Sequence, residues 1–456
     1  MSHELISILV LAALFLVATV LPVHMGALAL VAAFVVGTQV LGESTDDILL
    51  GFPADLFLIL VGVTYLFALA KDNGTVDWLV GKAVQGVGGR IALIPWVMFA
   101  VTGLLTSVGA VVPAAVAIIA PMGMGFAKRY QIRPLLMGLM VINGASAGGF
   151  SPLSIFGSIV NGTVDRAGID GSPTLLFLSS LVFNIVLGAI VFLLFGGREL
   201  IGKRDVGGEV TDSSDGTPAP SGGGQPVASG SGHTARASTT SVQTTTVSGG
   251  PSGASVGQLD RNRIITLVGI GALAIAVLFF DQDVGFSAIT VAVIISLFSP
   301  GINKGAVSAI AWPTVLLICG IVTYVSLMER IGTIDWLGEG VAGIGAPLFA
   351  AILICFIGAI VSAFASTTGI LGALIPLAVP FLLAGEIGPI GLIIALSISS
   401  SVVDSSPFST SGALVVANAP EEQRDQVFRQ LMVWGFSMVV LAPIATWAIF
   451  VLPGWG

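Results

Sequence analysis

The stretch Gly74-Thr75-Val76-Asp77-Trp78-Leu79 returns as Gly332-Thr333-Ile334-Asp335-Trp336-Leu337, and the same ungapped register sets Gly62 opposite Gly320. Chance does not supply so long a match between distant parts of one chain, so it reads as an internal repeat. A second echo follows in the same order: Ser151-Pro152-Leu153-Ser154-Ile155-Phe156-Gly157 and Ser406-Pro407-Phe408-Ser409-Thr410-Ser411-Gly412, both of the form S-P-x-S-x-x-G. Two related halves therefore build this chain, and whatever the Ser-Pro segments do is done twice.

Composition says what solvent those halves fold in. Of 456 residues, 55% are hydrophobic and 9% charged, with a mean hydropathy of +1.02, whereas a soluble domain carries about 25% charged residues. Apolar runs near the length that crosses roughly 30 Å of hydrocarbon recur along the chain, so the membrane and its lipid are the expected surroundings. The first run, Ile6 to Val20, lacks a basic leader and a cleavage site followed by a soluble domain, and reads as a span and not as a removed signal. Cys319 and Cys355 lie in apolar segments and suggest neither a disulfide framework nor a metal cage. The net charge of -8 names no partner, and nothing points to nucleic acid or to a cofactor. A membrane-embedded enzyme is disfavoured: His3, His24 and His233 lie near ends, loops or the linker, with no metal-ligand or nucleophile-base spacing.

The halves are expected at residues 1–200 and 261–456, joined by a linker over 201–260. From Asp205 to Gln258 the chain is dominated by Gly, Ser, Thr and Pro with no aromatic residue, a composition that cannot offset its own ordering entropy; it reads as a flexible connector, with a regulatory tail as the alternative. Half one has spans near 4–22, 26–41 and 55–70, an amphipathic interfacial stretch over 74–87, an interrupted apolar hairpin over 91–127, a span from Arg133 broken at Gly148 to Pro152, and a last span near 175–195. Half two repeats this with spans near 262–280, 284–299 and 311–328, a hairpin near 346–385, a broken span near 388–418 and a last span near 431–451. The expected fold is an all-α polytopic membrane protein, an inverted repeat of five transmembrane helices plus one re-entrant helical hairpin per half. Five is odd, so the second copy enters the membrane upside down. Of the 17 basic residues, all but Arg166 and Arg330 then fall on one side. The positive-inside rule makes that side cytoplasmic, with both termini outside and the linker inside.

Broken helices at membrane depth leave amides and carbonyls without partners, a cost tolerated where they are buried in protein or line a cavity. Inverted-repeat carriers use such breaks to hold substrates and ions. Four breaks are expected to converge: the hairpin tips Thr106, Ser107, Gly109 and Ser366, Thr367, Thr368, Gly369, and the loops Gly148 to Ser154 and Asp404 to Thr410. Small and hydroxylated residues also mediate plain helix packing, but matched Ser-Pro breaks in both halves favour a site. The Gly-Thr-x-Asp-Trp-Leu pair reads as an interfacial helix anchor. No lysine or arginine lies at the expected membrane depth, so an anion would be held by helix dipoles, amides, hydroxyls and bound cations. Asp404 is the one acid expected at the site, as cation ligand or proton carrier, with helix capping as the alternative. Its counterpart in half one is Gly149.

These hairpins and Ser-Pro breaks resemble the ion transporter superfamily and, within it, the divalent-anion sodium symporters. The wording Gly148 to Gly157 and Val403 to Asn418 is similar to that of the MatC-type dicarboxylate (malonate) carriers. The resemblance covers both membrane halves but not the linker. It implies a secondary active transporter, a homodimer with a scaffold and an elevator-like transport domain, and small dicarboxylates of the malonate or succinate class as substrates. It also implies sodium at the tips and breaks: Thr106, Ser107, Gly109 and Gly148 on one side, Ser366, Thr367, Gly369 and Asp404 on the other. Ser151, Pro152, Ser154, Ser406, Pro407, Ser409 and Thr368 would touch substrate. The symporters carry Ser-Asn-Thr at each tip, and this chain has no asparagine at either, so proton coupling through Asp404 and a sodium/proton antiporter or inorganic-ion carrier stay open.

Overall fold

The computed structural model describes residues 2–21, 23–204, 259–280, 282–299, 305–333, 336, 347–364, 367–383 and 387–454. The linker core, the tip residue Ser366, and Ile334, Asp335 and Leu337 of the second anchor lie outside the described residues. The architecture is all-helical. Half one runs α1 (His3–Val20), α2 (Met25–Val35, continued by a π-turn to Leu41), a short α3 (Thr45–Leu50), α4 (Ala54–Asp72) and α5 (Thr75–Gln85). A hairpin follows, α6 (Ile94–Ser107) and α7 (Val112–Arg129), then the broken pair α8 (Pro134–Gly148) and α9 (Ile155–Arg166), then α10 (Pro173–Leu194). Half two runs α11 (Arg261–Phe280), α12 (Val284–Phe298), α13 (Trp312–Arg330), a hairpin α14 (Pro347–Phe364) and α15 (Thr367–Leu383), the broken pair α16 (Pro389–Val402) and α17 (Thr410–Asn418), and α18 (Arg424–Thr446). The order matches the sequence reading element for element, with α3 as an addition. The continuous helices α4, α10 and α13 and the segments 389–418 and 421–451 are long and apolar enough to cross a membrane.

Proline sets many of these boundaries. Pro95, Pro113, Pro134, Pro173, Pro313 and Pro389 each stand in the first turn of a helix, where the missing N–H costs nothing and the fixed φ favours the helical start.

The halves pack by exchange. The second helix of each half lies on the third helix of the other: α2 on α13 and α12 on α4. Glycines make both crossings close. A Cβ on Gly26 would stand 2.1 Å from Leu316 O and one on Gly320 would stand 2.0 Å from Gly26 O; at the other crossing a Cβ on Gly62 would stand 2.7 Å from Gly285 O. Gly62 and Gly320 are the pair matched in sequence, so the repeat preserves the small residues that let backbones touch. The anchor motifs tie the halves in the same crossed way. Asn73 Nδ2, just before the first anchor, donates to Thr266 Oγ1 on α11 at 2.6 Å, and Thr333 Oγ1 pairs with Ser7 Oγ on α1 at 2.9 Å. Deeper in the molecule, α7 packs on α17 and α15 packs on α9, so the second arm of each hairpin touches the restarted half-helix of the opposite half. This crossing brings tips and breaks to one place.

Candidate functional site

The shared motif builds the same loop twice. Ser154 is the N-cap of α9: its hydroxyl accepts from Gly157 N–H at 3.2 Å and donates to Ser151 O at 2.7 Å and to Gly149 O. Ser409 caps α17 identically, accepting from Gly412 N–H at 3.3 Å and donating to Ser406 O at 2.6 Å and Asp404 O at 2.5 Å. The final glycine is required because the loop folds over the first turn. A Cβ on Gly157 would meet Ser151 O at 2.1 Å and one on Gly412 would meet Ser406 O at 1.9 Å. The second serine and the glycine therefore shape the break, and the hydroxyls of Ser154 and Ser409 are engaged within it.

In half one the break closes on its own hairpin tip. Ser151 Oγ donates to Ser107 O at 2.8 Å, and a Cβ on Gly148 would stand 2.4 Å from Thr106 Oγ1. Thr106 Oγ1 bonds back to Thr102 O and Gly103 O, and Ser107 Oγ to Leu104 O. Gly109 turns the tip at φ +111°, where a Cβ would meet the Val63 side chain and stand 3.3 Å from Leu153 O, a conformation suited to glycine. Thr106, Ser107, Gly109, Gly148 and Ser151 are thus brought together. Pro152 beside them is half-buried.

Half two differs in chemistry. Asp404 lies in a single 3-10 turn after α16, 2% exposed, and its Oδ2 accepts from Ser411 Oγ at 2.5 Å. Burying a carboxylate, even with hydrogen bonds on it, is costly unless a proton or a cation joins it. At the tip, Ser362 Oγ donates to Ser400 O at 2.7 Å and pairs with Thr367 Oγ1 at 2.9 Å, tying α14, α15 and α16. Ser406 Oγ accepts from Phe408 N–H at 3.2 Å, Pro407 is buried, and Gly369 faces Leu317.

A cavity of about 320 Å³ opens beside this half, lined by His24, Val111, Pro113, Ala114, Ala311, Pro313, Thr314, Leu317, Thr368 and Thr410. Five helices begin on it: α2 after His24, α7 after Val111, α13 after Ala311, α15 beside Thr368 and α17 at Thr410. Among the described residues its wall holds no Asp, Glu, Lys or Arg. Of the substrate residues expected from the sequence, Thr368 lines this cavity, while Ser151, Pro152, Ser154, Ser406, Pro407 and Ser409 stand in the break loops and outside its wall. Thr410, which ends the expected loop Asp404 to Thr410, was given no role there, and Ser411, Ser362 and the wall residue His24 were missed. Thr410 and Ser411 occupy variable places of the second motif, and Ser362 lies one turn before the tip; comparison of the two motif copies would have singled out the first two, because half one has Ile155 and Phe156 there. Among the described residues no cluster of His, Cys, Asp and Glu could hold a metal ion.

Crossed broken helices, two helical hairpins and a cavity onto which five helices begin are the architecture of a membrane transporter. Comparison with known proteins gives the same class. Residues 1–149 match the family model of the dicarboxylate carrier protein MatC N-terminus, and residues 266–454 match that of a citrate transporter. The first half is thus similar to MatC-type carriers and the second to citrate transporters, and both matches support a secondary transporter. No curated protein matches the whole sequence at a significant level. Among solved structures, the YdaH transporter of Alcanivorax borkumensis, described as having an unusual topology, is similar over 98% of this chain and 98% of its own, with a TM-score of 0.58 and 13% identity. That likeness is one of fold.

Proposed function

We propose that the protein is a cation-coupled carrier of a small dicarboxylate of the malonate or succinate class. The observation that carries this reading is the cavity onto which five helices begin and whose wall, among the described residues, has no Asp, Glu, Lys or Arg. Each helix start brings the positive end of its dipole to the space, so the cavity favours an anion without a lysine or arginine. The family names of the two matched models, for a dicarboxylate and for citrate, agree with that preference. Asp404, buried with Ser411, is the place for the coupling cation, Na+ or H+, and the tip and break residues of half one, Thr106, Ser107, Gly109 and Gly148, form the other. As the resemblance implies, the carrier works as a homodimer in the cell membrane; the charge rule puts its termini outside and the linker inside, and the internal repeat makes residues 1–200 and 261–456 its two halves.

Unequal packing of the two halves supports alternating access. α13 packs on α15, whereas its counterpart α4 packs on α9. The 320 Å³ cavity reaches Thr368 and Thr410, while the cavity near Asp55, Thr163, Arg166 and Glu329 is about 150 Å³ and touches no tip residue. By the charge rule the larger one lies toward the cytoplasm, which supports reading this arrangement as the inward-facing state of an elevator.

Reconstitution in liposomes with labelled malonate and succinate tests the function, first under an imposed sodium gradient and then under a proton gradient alone. Accumulation of either acid under either gradient is the expected result. If neither accumulates while sodium efflux responds to pH, the sodium/proton antiporter reading, which buried Asp404 would serve equally well, replaces this one.

A further inference from the structure

His24 occupies in the first half the place that an aspartate occupies in the second. Each precedes the second long helix of its half: His24 stands before α2 and Asp283 before α12. Asp283 caps its helix, Oδ1 accepting from Phe286 N–H at 2.8 Å, the ordinary use of a short acceptor there. His24 makes no capping bond. Its ring stands in the cavity wall with Thr314, Thr368 and Thr410, and its Nδ1 is shut from solvent without a hydrogen-bond partner. Such a nitrogen is a cost that packing alone does not require, relieved when the ring turns to a polar guest. Among the described residues no other side chain in the wall can carry a positive charge.

We propose that His24 is the specificity-determining residue for the second carboxylate of the substrate. One carboxylate is held at the starts of α15 and α17 beside Thr368 and Thr410, and the imidazole donates an N–H to the other. This rests on the dicarboxylate reading above and adds to it the residue that tells a dicarboxylate from a monocarboxylate. A charge-assisted bond is made only with the doubly charged ligand, and it amounts to about tenfold or more in affinity. The helix starts attract either ligand; the imidazole separates them.

The test is competition against labelled malonate uptake in proteoliposomes by unlabelled malonate and by its monomethyl ester. In the wild type malonate competes at least about tenfold better. His24→Ala and His24→Gln are expected to lose that preference, malonate weakening about tenfold while the ester is unchanged, and His24→Lys is expected to restore much of it. If the preference in both neutral variants stays within about twofold of wild type, or both ligands weaken equally, His24 is a packing residue and the proposal is wrong. If the wild type transports neither acid, the dicarboxylate reading has failed and takes this one with it; wild-type transport with indifferent variants overturns His24 alone. His24→Gln, close in volume to histidine, keeps the test decisive if His24→Ala does not fold.

Discussion

Replacing one hydrogen by a methyl group at Gly412 should stop transport without unfolding the protein. Gly412 is the third residue of α17. A Cβ there would lie 1.9 Å from Ser406 O and 2.5 Å from its carbonyl carbon, where ordinary contact begins near 3.4 Å. The break loop must therefore recede by about 1.5 Å, since a packed interior has no void to absorb a methyl. It has little room to do so, because Gly435 of α18 presses on the far side: a Cβ at Gly435 would stand 2.8 Å from Ser406 Cα. Overpacking of this kind costs about 1–3 kcal/mol, which a folded domain of roughly 5–15 kcal/mol survives. Function is less forgiving, because a displacement near 1 Å in a positioned site costs about 100-fold. Gly412→Ala should thus remain monodisperse in detergent with a lowered thermal midpoint, and its initial rate of labelled malonate uptake in liposomes should fall about 100-fold. Gly271→Ala on α11, where a Cβ meets nothing within 4 Å, is the control and should transport normally. Gly412→Ala at a rate within about twofold of wild type would refute the claim that the glycine fixes the break.

Other outcomes follow from the same contacts. Asp404→Asn keeps a polar partner for Ser411 but removes the charge, so gradient-driven accumulation should vanish while malonate exchange across equal gradients persists; parallel loss of both would assign Asp404 to substrate and not to coupling. Ser362→Ala removes the bond to Ser400 O and the pairing with Thr367, which should cost about 1–3 kcal/mol and lower the thermal midpoint; an unchanged midpoint would show that water already serves that carbonyl. Gly369 faces Leu317, with a Cβ 3.4 Å from the leucine side chain. In a background lacking Cys319 and Cys355, a short thiol crosslink between Leu317→Cys and Gly369→Cys should arrest uptake reversibly, and full transport by crosslinked protein would mean that α13 and α15 do not part.

Much of the fold was legible because a membrane leaves few choices. An apolar run that must satisfy its own backbone becomes a helix, so span positions and the odd count per half followed from hydropathy and from the repeated anchors. The close crossings were legible in part: Gly62 and Gly320 align in sequence, but their partners Gly285 and Gly26 depend on which helix lies opposite, and that is a tertiary fact. Boundaries at Pro134, Pro173 and Pro389 could be read directly, while the π-turn over Val36–Leu41 carries no local signal. His24 was passed over as a loop histidine. Its place beside Thr368 depends on the crossing of α2 with α13 and on where the second hairpin ends, neither of which composition or spacing encodes.

The two Ser-Pro motifs show where sequence symmetry stops being informative about chemistry. Their shared letters have shared geometric work: Ser154 and Ser409 cap the restarted helices, and Gly157 and Gly412 let the loop lie over the first turn. The first serines accept alike, Ser151 from Leu153 N–H and Ser406 from Phe408 N–H, but Ser151 also donates to the tip carbonyl of Ser107. The site's distinguishing chemistry sits at the letters that differ. Half one has Leu153, Ile155 and Phe156, buried and apolar; half two has Phe408, exposed, then Thr410 in the cavity wall and Ser411 on Asp404. A motif repeated across two halves therefore marks what both need to hold a broken helix open. Its mismatches mark the half proposed to meet the anion, and exchanging Thr410-Ser411 for Ile-Phe should leave the break intact while removing a cavity hydroxyl and the partner of Asp404 together.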